Sequence, residues 1–72
     1  MTDSNMLKEA IKEKGLKMCY LAEQLNISRQ YFSDKVNNKT QFTAEEIFKL
    51  CEILEITSLK RKESIFFAKQ VE

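Results

Sequence analysis

The 72-residue chain has no histidine and no proline, and its single glycine is Gly15. Without histidine it lacks the usual general base and the commonest metal ligand. It also has no glycine-rich phosphate loop and no metal-ligand cluster. An enzyme, a zinc site, a cofactor or a small-molecule substrate is therefore not expected. The scarcity of helix breakers, with apolar residues at helical spacing, predicts an all-α chain. No segment approaches the ~20 apolar residues that span a bilayer. The start, MTDSNMLKEA, lacks a signal-peptide layout, so a cytoplasmic protein without a membrane partner is expected. Cys19 and Cys51 stand far apart without a CxxC spacing and are predicted to be free, partly buried thiols.

Charge of one sign is also missing. Twelve Lys and Arg against eleven Asp and Glu leave a net charge of +1. A near-neutral monomer grips phosphates only modestly. The distribution is less even than the total. Arg29, Asp34, Lys35 and Lys39 make the stretch from Ser28 to Lys39 net positive, while acids gather later at Glu45, Glu46, Glu52 and Glu55. The length fits one domain over residues 1–72. A chain this short buries only about 60% of its unfolded surface, so a partner or a second copy would help to stabilise it.

Five helices are predicted. The first runs from about Ser4 to Lys14 with Leu7, Ala10 and Ile11 inward, and Gly15 stops it by taking the left-handed C′ position. The second runs from Lys17 or Met18 to Leu25, with Leu21, Ala22 and Leu25 inward. Asn26 tolerates the left-handed corner that follows, and Ile27 plugs the core behind it. Ser28 caps a third helix, Arg29 to Val36, whose inner face carries Phe32 and Val36. A polar loop covers residues 37–41. Thr43 and Glu46 form a capping box before a fourth helix reaching about Glu55, mostly core. Thr57 or Ser58 caps a fifth helix to about Phe66. The tail over residues 65–72 is apolar for a chain end. Part of it is expected to form a dimer or partner surface.

Residues 18–37 carry the link to function. A small residue, Ala22, sits where two helices cross. Asn26 makes the corner tight. Large inner residues fix the second helix, and Arg29 and Gln30 stand on its outer face. That is the layout of a helix-turn-helix, whose second helix enters the major groove. Arginine can bond guanine bidentately and glutamine can bond adenine. A plain helical corner is the alternative. Tyr31 is read either as a contact to a thymine methyl or sugar, or as solvent-edge packing. Met18 and Tyr20 form either an exposed apolar spot or a satellite core contact. The run Lys60-Arg61-Lys62 either grips phosphate or is a solvated face.

On LAEQLNIS, SRQYFSDKV and the following NNK, the chain resembles the Cro and repressor helix-turn-helix family of temperate phages. The resemblance covers nearly the whole chain. In size and layout it is also similar to small Cro-like and modulator-of-repression proteins of phages from Gram-positive hosts. The resemblance implies a five-helix, lambda-repressor-like domain working in the bacterial cytoplasm. It implies that Arg29 and Gln30 read bases, with Asp34 facing the groove. It places Ser28, Asn37, Lys39 and Thr40 at backbone phosphates. Two positions depart from the family pattern. Met18 stands where a glutamine is usual, and Asn26 replaces a corner glycine. Asp34 is also awkward beside phosphates unless it accepts from cytosine or pairs with Lys35 or Arg29.

Two functions follow. The first is a regulator of a phage lysogeny/lysis switch that binds an operator duplex as a two-fold dimer, with recognition helices roughly 34 Å apart. The second is an antirepressor that forms a hetero-complex with a phage repressor and masks its DNA-binding surface. In that case Arg29, Gln30, Tyr31 and Asp34 would form the partner contact. Mixed charge at Asp34 and the apolar Met18 and Tyr20 suit it.

Overall fold

Local signals set the helix ends in the computed structural model, which describes residues 1–68. The elements are α1 (Ser4–Glu13), α2 (Met18–Gln24), α3 (Arg29–Val36), α4 (Ala44–Ile53) and α5 (Leu59–Phe66). Asp3, Ser28, Thr43 and Ser58 each cap a helix by accepting a backbone N–H three residues on. Such a cap satisfies one of the otherwise orphaned donors of a first turn. The full capping box at Thr43 and Glu46 is present. Of the two candidates before α5, Ser58 is the cap.

The first four helices end alike. Gly15, Asn26, Asn38 and Glu55 all have positive φ, between 55° and 68°. Each is followed by a residue whose N–H reaches back to close the stop: Leu16 to Ile11 O, Ile27 to Ala22 O, Lys39 to Asp34 O and Ile56 to Cys51 O. This is the Schellman pattern, which occupies carbonyls that the helix leaves unpaired.

The core joins all five helices. Leu7, Leu21, Phe32, Val36 and Leu50 are fully buried, and Leu54, Ile65, Ala22 and Phe66 nearly so. Phe42, between α3 and α4, is the hub. Its ring meets Phe32 edge-on at 5.9 Å and Phe66 at 5.8 Å. Edge-to-face contact suits the aromatic quadrupole. The helices pack in two sets, α3 back on α2 and α5 on α1, with α1 also touching α3. The N-terminal segment is tied in by backbone bonds from Asp3 N to Ile65 O and from Ala68 N to Met1 O. No helix among the described residues is long and apolar enough to cross a membrane.

Several expectations are refined. Helix α4 buries Ile47 and Leu50, and its C-cap Leu54 is buried too, but Phe48 is 61% exposed. Phe48 and Leu59 flank an open wedge of about 460 Å³ between α4 and α5, lined also by Cys51, Glu52 and Lys62. The apolar end of the chain divides: Ile65 and Phe66 are core, while Phe67 is exposed. Residues 69–72, including Val71, lie outside the described residues. Both cysteines are free, but Cys19 is exposed where partial burial was expected. It lies in the first turn of α2, two residues before the buried Leu21. Cys51 is half-buried, and that burial pushes its thiol up despite nearby Lys62. Met18 packs half-buried against the core, while Tyr20 is exposed.

Candidate nucleic-acid interface

The α2–α3 corner holds α3 by three coupled features. Ala22 is 2% exposed at the crossing, so the helices approach without a bulky side chain between them. Asn26 supplies the left-handed turn. Ile27 then tucks against the core, and the next residue, Ser28, already caps α3 with its Oγ 3.0 Å from Tyr31 N. No residue is spare between stop and cap. Phe32 and Val36 anchor the inner face at 0% exposure. Position and pitch of α3 are therefore fixed by packing, as a rigid reading head requires.

The outer face presents Arg29, Gln30 and Tyr31, all exposed. Arg29 makes no salt bridge among the described residues, so its guanidinium fork is open to solvent. Asp34, one turn on, is half-buried. Its partner is neither Lys35 nor Arg29, as the sequence suggested, but Gln30, whose Nε2 donates to Asp34 Oδ1 at 3.0 Å. Gln30 and Asp34 are thus brought into contact, with Tyr31 exposed beside them and Arg29 exposed at the first position of the helix. They form a mixed surface of a cation, an amide–carboxylate pair and an aromatic ring.

Lys35 accounts for that correction. It is 2% exposed and lies on the inner side with Phe32 and Val36. Its Nζ sits 2.9 Å from Glu46 Oε1 and donates to Gln41 O at 2.9 Å. It also lies 4.6 Å from the centroid of the Tyr31 ring. Its charge is spent inside the protein and adds nothing to a phosphate-facing surface. Burial pushes the Glu46 carboxyl up, but the Thr43 N–H and the Lys35 ammonium outweigh it, and the net shift is downward. The glutamate is held ionised by hydrogen bonds to its charged form.

The C-terminal end of α3 gathers the expected phosphate contacts less evenly. Lys39 is exposed. The Asn37 side chain turns back to donate to Ser33 O at 3.0 Å. The Thr40 hydroxyl is buried and has no hydrogen-bond partner, so it is not presented to solvent. Ser28 lies at the opposite end of α3, with its Oγ serving as the cap. Asn38 bonds both backbone groups of Thr2, its Oδ1 accepting from Thr2 N and its Nδ2 donating to Thr2 O, each at 2.8 Å. Ser4 Oγ donates to Val36 O. The N-terminal segment thereby ties down the end of α3.

Two of these features were missed by sequence reasoning. Lys35 could have been placed inside, since it stands three residues after Phe32 and beside Val36. The Asn38–Thr2 bridge spans 36 residues, and no local pattern signals it.

Residues 7–60 match the helix-turn-helix family. No curated protein and no solved structure matches the chain.

Proposed function

The chain belongs to the helix-turn-helix family, a family of DNA-binding regulators, and on that premise we propose that α3 reads an operator in the major groove. The observation that carries this reading is the unpaired Arg29 beside Gln30 at the start of a helix locked by Ala22, Asn26 and Phe32. Arg29 bonds guanine O6 and N7, and Gln30 meets the neighbouring base. Asp34, held by Gln30, accepts from a cytosine amino group. Tyr31 covers a thymine methyl. Ser28, Asn37 and Lys39 face the backbone, with Lys39 the only full charge among them, while the buried Thr40 hydroxyl does not. The function is binding, without catalysis, cofactor or small-molecule substrate.

The resemblance to Cro and repressor proteins supports a place in a phage lysogeny/lysis switch. A homodimer supports tight operator binding by a chain of net charge +1. The exposed Phe48, Leu59 and Phe67 offer apolar area for such contact.

A second reading, the antirepressor, rests on its own observation. With Lys35 neutralised by Glu46, the exposed face of α3 holds one arginine against one aspartate, beside a Tyr31 that is 44% exposed. Such a mixed, aromatic face suits a protein surface. The antirepressor would then present this face to a repressor.

Selection from a randomised duplex pool at low salt separates the two. Enrichment of a pseudo-palindromic site, with Arg29→Ala weakening it by ~1–3 kcal/mol, supports operator binding. Lys39→Ala then weakens all duplexes alike and lowers the salt slope by about 1. No enriched site turns the reading to the antirepressor.

A further inference from the structure

We propose that Lys35 is a positioning residue for base reading: it clamps Tyr31 and the loop after α3 onto α4 and never touches DNA. The proposal deepens the operator-binding reading and rests on it. On sequence, a lysine in the second turn of a recognition helix would count as a phosphate contact. Here its side chain is 3% exposed, out of reach of a ligand on the outer face. Instead it links three elements at one ammonium. Glu46 belongs to the first turn of α4, Gln41 to the loop and Tyr31 to α3 itself.

The Glu46 carboxylate does two jobs at the same time. Its Oε1 accepts the Thr43 N–H of the capping box at 2.8 Å and meets Lys35 Nζ at 2.9 Å. The N-terminus of α4 is thus coupled directly to the recognition helix. At the other end of the clamp is Tyr31, one of the few large side chains standing outward on the motif. An exposed ring samples several rotamers, but an ammonium held over its face selects the one that keeps that contact. Lys35 therefore acts on the DNA-facing surface through Tyr31, and on the backbone-facing loop through Gln41 O.

Lys35→Met made together with Glu46→Gln tests this, read against Glu46→Gln alone. Methionine fills a similar volume, the second change leaves no carboxylate unpaired, and its amide oxygen can still accept the Thr43 N–H. The measurements are affinity for the selected duplex and for a scrambled one across a salt series. The expected result is a loss of about tenfold in affinity for the selected duplex, with scrambled-duplex affinity and salt slope unchanged. A Tyr31→Ala background should abolish most of that loss, because residues acting through one another are not additive. Equal losses on both duplexes with a slope lower by about 1 would make Lys35 a phosphate contact and overturn the proposal. A changed melting temperature with an unchanged affinity ratio would leave only a structural role and overturn it too.

One readout needs no DNA. The Lys35 ε-methylene protons should be shifted upfield by the Tyr31 ring in the proton NMR spectrum, and Glu46→Gln should move them. Protons at ordinary positions in the wild type would refute the clamp. If the shift is present but no duplex is selected, the operator reading fails, and the DNA role of Lys35 with it, while the clamp stands.

Discussion

The chain turns twice on nearly the same words, Leu25-Asn26-Ile27-Ser28 between α2 and α3 and Leu54-Glu55-Ile56-Thr57-Ser58 between α4 and α5. Both corners have a buried leucine as C-cap, a residue at positive φ, an isoleucine folded inward and a serine cap. They differ in length, in packing and in the left-handed residue. The second has one residue more, Thr57, between the stop and the cap. In the first, α3 folds back on α2, whereas α5 leaves α4 and packs on α1. The longer connection thus accompanies an open wedge and the shorter one a closed pair of helices. The left-handed residue also differs. Asparagine tolerates this conformation, whereas a residue with a long side chain pays for it in backbone strain. At Glu55 the turn is imposed by the burial of Leu54 and Ile56 and helped by an ion pair with Lys14. At Asn26 local preference and tertiary packing agree.

Two lysine–glutamate pairs extend the contrast, one at the far end of α3 and one at the second corner. Lys35–Glu46 is buried beside the motif, while Lys14–Glu55 is exposed. Lys35→Ala should cost about 3 kcal/mol in urea unfolding, the low end for a buried pair, since it leaves the partly buried Glu46 carboxylate without its cation. Lys14→Ala should stay within about 0.5 kcal/mol. Equal costs would break the comparison.

The isoleucines come next. Ile56 is buried and Ile27 only half-buried. In the same unfolding assay Ile56→Ala should lose about 2–4 kcal/mol and Ile27→Ala about 1–2. The serine caps should be equal in stability and unequal in function. Ser28→Ala and Ser58→Ala each lose about 1 kcal/mol, but only the first should weaken DNA binding, because only α3 reads.

Acid should distinguish the two pairs as well. The Glu46 carboxyl is held below its ordinary range in the folded state. Its contribution is therefore complete above the unfolded value of about 4.3 and is lost as pH falls through the lower folded value. Glu46→Gln should flatten the acid limb of a stability–pH curve. Glu55 is shifted down too, first by the Lys14 hydrogen bond. Being exposed, it is screened, so Glu55→Gln should flatten the limb far less at 0.5 M salt. The smallest effect is at the turn residues. Glu55→Gly should raise Tm by a few degrees, and Asn26→Gly should leave it almost unchanged.

The same contrast explains what was legible in the sequence. Gly15, Asn26, Ser28 and the Thr43–Glu46 box are local signals, since each residue's own chemistry meets the need of its own turn. They placed the five helices within a residue or two. Glu55 was assigned to the end of α4, because nothing in a glutamate announces positive φ. Phe42, the aromatic hub, stands in a polar loop, and its burial depends on Phe32 and Phe66 arriving from other helices. Lys35 reads as surface charge from its chemistry, although its helical phase beside Phe32 and Val36 points inward. The exposure of Arg29, Gln30 and Tyr31 follows from their place in the first turn of α3. The internal bond of Gln30 to Asp34 was not legible.

The most direct test of the account is amide chemical-shift mapping of the full chain titrated with its selected duplex. Shifts concentrated on residues 28–34 and 37–40, with the α4–α5 wedge silent at stoichiometric DNA, are the predicted result. Shifts centred on Phe48, Leu59 and Lys62, with Arg29 and Gln30 unmoved, would contradict it.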